Sequence, residues 1–333
     1  MSAPLLDVRN LSTVFPIKRG MFSRTVGALR AVDNVSLQIA PGEALGLVGE
    51  SGCGKSTLAR TLLLLEKAES GTVHFGGASL LEASPVQLRQ IRRRIQVVFQ
   101  DPFASLNPGM TVADLVTEGL VAHGLLARRN RQQVAAELLH EVGLGPDACN
   151  RFPHAFSGGQ RQRISIARAL SLQPSLLICD EAVSALDVSV QAQIINLLMH
   201  LRQTYKLAFL FISHDLSIVA HFCDRIAVMY LGKIVEQGPA RDLIREPRHP
   251  YTMALLQAIP KVGGARRERL RLSGDVPSPL SPPSGCPFHP RCRFAIDRCR
   301  REGPGLEPAG QDLLHLSACH RRNDPAVAPP TAD

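Results

Sequence analysis

Gly49-Glu50-Ser51-Gly52-Cys53-Gly54-Lys55-Ser56-Thr57 places two glycines with four residues between them directly before lysine and serine, the pattern of a loop that cradles phosphates. Ahead of it, Ala44-Leu45-Gly46-Leu47-Val48 is a short apolar run suited to a buried strand. After it, residues 57–63 carry helical periodicity, with the helix starting at the lysine. Strand, loop and helix in that order are what the pattern requires. The glycines let backbone N–H groups converge on an anion, and the helix N-terminus adds a positive dipole. Lys55 reaches the outer phosphates and the Ser56 hydroxyl offers an oxygen to Mg²⁺. A triphosphate is therefore the expected ligand; a ligand-free glycine turn is the plainer alternative.

Working outward, 333 residues with 45% hydrophobic content suffice for one large α/β domain and a smaller appendage. The formal net charge of +9 fits nucleic acid, an anionic membrane surface or a solvated basic face, and does not choose among them. With three Tyr and no Trp, the chain offers little stacking surface to a single-stranded nucleic acid. The first residues, Met1-Ser2-Ala3-Pro4-Leu5-Leu6-Asp7, lack a basic segment followed by an apolar run, and no apolar stretch approaches a membrane span. The expected location is cytoplasmic. Of the eight Cys, Cys53, Cys149, Cys179 and Cys223 stand singly in core-like segments, as small buried hydrophobes do. Arg92-Arg93-Arg94 reads as a solvated helix end and is assigned no site.

Short β-like runs with turns fill residues 5–75, and the periodicity turns helical from about 110 to 172. The apolar runs at 176–179, 209–212 and 226–230 then alternate with helical segments, as central strands of a parallel sheet do. A helix-like segment through Ala258 leads to Pro260. Pro277, Pro279, Pro282 and Pro283 mark a linker, and residues 324–333, rich in Pro and Ala, form an end expected to fray.

Two further motifs carry chemistry. Leu176-Leu177-Ile178-Cys179-Asp180-Glu181 delivers two carboxylates to the C-terminal end of a strand, where open α/β sheets bind ligands. Asp180 can hold Mg²⁺ and Glu181 can take the proton of an attacking water, although an acidic helix cap has the same look. Ser157-Gly158-Gly159-Gln160, just before an amphipathic helix, supplies a hydroxyl and glycine N–H groups at a helix N-terminus and so makes a second anion cradle. A flexible turn capping a helix is the simpler reading of that tetrapeptide alone.

Phosphate loop, Ser-Gly-Gly-Gln and Asp-Glu strand in this order resemble the ATP-binding cassette (ABC) ATPases. The resemblance implies a P-loop α/β fold with a RecA-like parallel core, an antiparallel β subdomain and a helical subdomain at about 101–172. That domain would span 1–245, with 246–333 as a cysteine-containing C-terminal extension. It also implies that ATP is sandwiched between the phosphate loop of one cassette and the Ser157 turn of its partner. By the same resemblance Gln100 senses Mg²⁺ and the attacking water, with Ser56, Gln100 and Asp180 around the metal. Asp187, in Ser184-Ala185-Leu186-Asp187, lies on the loop that crosses the dimer interface. His214 contacts the γ-phosphate, and Phe15 lies against adenine unless it is a core residue. Ala182 departs from the proline usual after Asp-Glu, but every carboxylate is kept, so catalytic competence is expected.

Within the family, the 99–108, 184–190 and 247–252 segments are similar to the ATPase subunits of bacterial oligopeptide and dipeptide importers, with the dipeptide branch the nearest likeness. The implied partners are two transmembrane permease subunits, a second and non-identical ATPase subunit, and a solute-binding protein outside the membrane. The implied place is the cytoplasmic face of the inner membrane, and no nucleic acid is involved. Cys286, Cys292, Cys299 and Cys319 have intervals of five, six and nineteen residues, without the close pair usual for zinc. The tail resembles one carrying a [4Fe–4S] cluster, with zinc or free thiols as alternatives. Long coiled-coil insertions of DNA-repair relatives, a second cassette as in translation factors, and the Asn-Lys-x-Asp pattern of GTPases are missing from the sequence.

Overall fold

A computed structural model describes residues 3–19, 24–258, 274–310, 312–324 and 327. The chain start at Met1, Pro260, and nearly all of the Pro- and Ala-rich end lie outside the described residues. In chain order the strands are β1 (Leu6–Arg19), β2 (Arg24–Ile39), β3 (Ala44–Val48), β4 (Ser70–Phe75), β5 (Ala78–Ser79) and β6 (Ile95–Val98). They continue as β7 (Leu176–Asp180), β8 (Ala208–Ser213), β9 (Arg225–Tyr230), β10 (Lys233–Pro239), β11 (Glu307–Ala309) and β12 (Asp312–Ser317). The helices are α1 (Lys55–Leu62), α2 (Pro85–Arg94), α3 (Pro102–Ser105), α4 (Val112–Ala122), α5 (Arg131–Glu141) and α6 (Gly158–Leu170). After these come α7 (Val188–Tyr205), α8 (Leu216–Phe222), α9 (Ala240–Arg245), α10 (Pro250–Ala258) and α11 (Asp297–Arg301). The expected strands at 44–48, 176–179, 209–212 and 226–230 are present.

Two compact units divide the chain. One is drawn mainly from Ile39–Glu43 and Glu82–Ile212. Its strands β6, β7 and β8 run parallel, with Val98 opposite Cys179 and Cys179 opposite Phe211. Every residue of β7 and β8 is buried, which is why their sequences are continuous apolar runs rather than alternating ones. Helices α4, α5 and α6 pack on one another, α3 packs on α6, and α6 also touches β6 and α7.

The second unit takes in Pro4–Gln38, Ala44–Leu81 and Ser213–Asp333. It holds an antiparallel sheet in the order β2-β1-β4-β5, and a run of strands in the order β3-β9-β10-β12-β11. Strand β3 lies parallel to β9, after which β10, β12 and β11 pair antiparallel. The C-terminal segment thus belongs to the unit that carries the phosphate loop. Among the described residues no helix is long and apolar enough to cross a membrane.

Candidate functional site

The phosphate loop bridges β3 and α1. Gly54 occupies the N-cap of α1 at φ 110 with no side-chain cap, so no side chain of the loop closes off the positive end of this helix. A Cβ there would run into the Ala31 carbonyl, so only glycine fits. Gly52, at φ 78, faces open space. Lys55 is buried, and its ammonium donates to the carbonyls of Gly49 at 2.8 Å and Glu50 at 3.0 Å. Ser56 and Thr57 follow on the first turn, half-buried. Cys53 is buried under the loop, and burial pushes its thiol up. Ser51 is exposed. Glu50 is held on three sides. Its N–H donates to Tyr251 Oη at 2.8 Å, its carbonyl accepts from Lys55, and its carboxylate takes two bonds from Arg291 at 2.7 and 3.0 Å. Loop composition, a helix start without a side-chain cap and the lysine fit a triphosphate with its magnesium. In the same unit, Phe15 is half-buried on β1 and His214 is exposed just past β8.

In the other unit, β7 ends on the buried Asp180 and the chain turns at Glu181 with φ 49. That left-handed backbone is disfavoured for a glutamate. Two contacts hold it: Glu181 N–H donates to the Ile212 carbonyl at 3.0 Å, and its carbonyl accepts from the Ser184 hydroxyl at 2.9 Å. Gln100, exposed after β6, donates from Nε2 to Glu181 Oε2 at 2.9 Å. The two residues expected to attend the attacking water therefore touch. Ala182 is buried in the turn that follows.

Ser157 caps α6 within a capping box: its hydroxyl accepts from Gln160 N–H, and Gln160 Oε1 accepts from Ser157 N–H. Gly159 faces α7 so closely that a Cβ would overlap Val190, and Gly158 meets Leu186. Asp187 caps α7 by accepting from Val190 N–H at 2.9 Å, while Gln191 Nε2 donates to the carbonyls of Val183 and Leu186. The Ser157 turn and the Ser184-to-Asp187 loop are thus packed against each other. Arg161 adds a link the sequence reading missed: it donates to the Pro153 and His154 carbonyls and stacks 3.7 Å over the exposed Phe103 ring of α3.

In the tail, Cys286 and Cys299 are buried, and Cys292 and Cys319 are half-buried. Burial pushes up the thiols of Cys286, to about 11, and Cys319, to about 12, and also raises that of Cys292; Cys319 feels the charge of the other three as well. Among the described residues no three His, Cys, Asp or Glu side chains form a group able to hold a metal ion. The expected [4Fe–4S] ligand set of Cys286, Cys292, Cys299 and Cys319 is not gathered into such a group among the described residues.

The family pattern described as ABC transporter matches residues 32–184, and the one described as oligopeptide/dipeptide transporter, C-terminal region, matches 235–299. A probable peptide ABC transporter ATP-binding protein of Sinorhizobium fredii is 52% identical over 98% of this chain and 93% of its own length. The oligopeptide transport ATP-binding protein AppF of Bacillus subtilis is 49% identical over 95% and 97%. The chain is an ABC transporter ATP-binding protein. Solved structures agree. A dimeric ATP-binding cassette, MJ0796, in a post-hydrolysis state bound to ADP and Pi, matches with TM-score 0.62 and 29% identity over 71% of this chain and 99% of that one. CbiO1 of Clostridium perfringens, part of the transporter complex cbiONQ, matches at 0.62 and 26% over 73% and 91%. As an ABC cassette the chain is an ATPase that works with ATP and Mg²⁺.

Proposed function

We propose that this ABC ATPase energises the import of di- and oligopeptides, as one of two cassettes that clamp two ATP molecules between phosphate loop and Ser157 turn. The observation that carries the reading is the coexistence on one chain of two cradles and a tail: the Lys55 loop with its uncapped first turn, the Ser157 turn, and the 235–299 region of peptide-transporter type. Lys55, Ser56 and Thr57 hold the polyphosphate with backbone N–H groups of the Gly49, Ser51, Gly52 and Gly54 positions, while Glu50 and Cys53 shape the loop between them. Ser56, Gln100 and Asp180 take the metal ion, which when bound neutralises charge building on the phosphate oxygens. Glu181 accepts the proton of the attacking water while Gln100 orients its carboxylate. His214 contacts the γ-phosphate and Phe15 the adenine. Asp187 and the partner's copies of Ser157, Gly158, Gly159 and Gln160 complete the sandwich.

Nucleotide moves the clamp only because it favours the closed pair over the open one. The proposed setting is the cytoplasmic face of the inner membrane, with two permease subunits, a second and different ATPase subunit, and a solute-binding protein. The relatives' names support the peptide class. The iron–sulfur reading of the tail stands on resemblance alone, and iron and sulfide analysis of anaerobically purified protein tests it. For the main reading, the assembled transporter in lipid should hydrolyse ATP faster when the loaded binding protein presents peptide. Peptide-independent hydrolysis, or nucleotide lying far from every Ser157, rejects the proposal.

A further inference from the structure

A carboxylate inside an anion-binding loop is a liability. Glu50 sits one residue into the phosphate loop, and an uncompensated negative charge there opposes a triphosphate. The structure shows how that charge is met. Arg291, from the turn between Cys286 and Cys292, grips it with two nearly parallel bonds at 2.7 and 3.0 Å, the geometry that suits a guanidinium to a carboxylate. The Arg291 side chain is 5% exposed and that of Glu50 25%, so solvent screens the pair weakly. Around it, Tyr230, Tyr251 and Phe288 form one aromatic cluster with ring centroids 4.7 to 5.4 Å apart, and Tyr251 accepts the Glu50 N–H at 2.8 Å. Tyr251 and Arg291 both come from the C-terminal extension, and all of these residues lie in one compact unit.

We propose that Arg291 and Tyr251 are positioning residues of the phosphate loop: by neutralising the Glu50 carboxylate and fixing its amide, the C-terminal extension sets how tightly the loop takes MgATP. The inference rests on the reading of the Lys55 loop as the nucleotide cradle. The acidic side chain that Arg291 cancels belongs to the loop that cradles the polyphosphate, so its uncompensated charge would oppose the ligand, and deleting the arginine and deleting the acid have opposite effects. That opposition separates an electrostatic role from a merely structural one.

The test is calorimetric titration of the full-length chain with MgATP, alongside kcat and KM in the assembled transporter. Arg291→Gln should raise the dissociation constant about tenfold, as loss of a bond between charged partners does. KM should rise with it, and kcat at saturating ATP should stay within about twofold of wild type. Glu50→Gln with Arg291→Gln should return affinity to near wild type. Tyr251→Phe, which keeps the ring and so the packing, should weaken binding by a smaller factor. If Arg291→Gln binds as wild type, or the double variant binds as poorly as Arg291→Gln alone, the inference is overturned. If Arg291→Gln does not fold, the double variant and Tyr251→Phe decide, and wild-type affinity in Tyr251→Phe overturns it. Lys55→Ala serves as the control for the parent reading. Undiminished affinity there rejects the cradle itself, whereas weakened binding in Lys55→Ala with none in Arg291→Gln rejects only the role of the extension.

Discussion

Glu181 carries the highest chemical demand of any side chain here and sits on an unfavourable backbone, φ 49. Strain at a reactive residue persists only where neighbours over-determine it, and the Ile212 carbonyl, the Ser184 hydroxyl and Gln100 do so from three directions. Glu181→Gln keeps size and turn while removing the base. Turnover should fall about 10²- to 10⁴-fold while MgATP affinity stays at the wild-type value, so nucleotide-bound closed pairs should accumulate in gel filtration. Phosphate release at the normal rate would remove Glu181 from its role. The carboxylate's identity was legible because it ends an apolar strand. Its left-handed conformation was not, since no local pattern marks a glutamate for positive φ. Nor was the Glu50 to Arg291 pair, whose members lie 241 positions apart; periodicity reports which face a residue occupies, not which distant partner it meets.

Among elements, α6 was the most readable. A serine three residues ahead of a glutamine before an apolar stretch announces a capped helix, and the capping box is formed. That same cap creates an ambiguity, because Ser157 serves the helix whether or not it ever meets a phosphate. Two variants separate the duties. Ser157→Ala should cost about 1 kcal/mol of stability and lose turnover. Ser157→Asn keeps a good cap, so the midpoint of chemical denaturation should stay near wild type while ATP turnover in the assembly still falls. The packing of Gly159 on Val190 escaped the sequence reading for a simple reason: a glycine at a helix start looks the same whether it serves a ligand or a neighbouring helix.

For the whole molecule, the C-terminal extension is built around buried polar groups as well as apolar ones. Glu236, wholly buried on β10, accepts from the N–H groups of Arg248 and His249 and lies 2.7 Å from His315 Nε2 on β12. Next to it, His249 is buried, and its Nδ1 accepts the Tyr251 N–H at 3.1 Å. Burial lowers its pKa from 6.5 to about 3. In the unfolded chain this imidazole takes up a proton below about pH 6.5, and in the folded chain only near 3. Its contribution to stability is therefore complete above pH 6.5 and erodes as the pH falls toward 3. His249→Asn, which keeps an acceptor, should flatten that part of the stability curve relative to wild type in urea titrations at stepped pH. An unchanged slope would mean that His249 already titrates normally.

The extension also decides where the run of strands from β3 outward stops. Beyond β10 come β12 and then β11, a strand of only three residues, Glu307, Pro308 and Ala309, of which the first two are exposed. A proline without an N–H and a solvent-facing acid make a poor template for another chain. Without these terminal strands, the margin would instead be β10, seven residues long and mostly buried, a far better docking rail for a stray neighbour. A chain ending before residue 306 should consequently clump or scatter light at concentrations where the intact one stays clear.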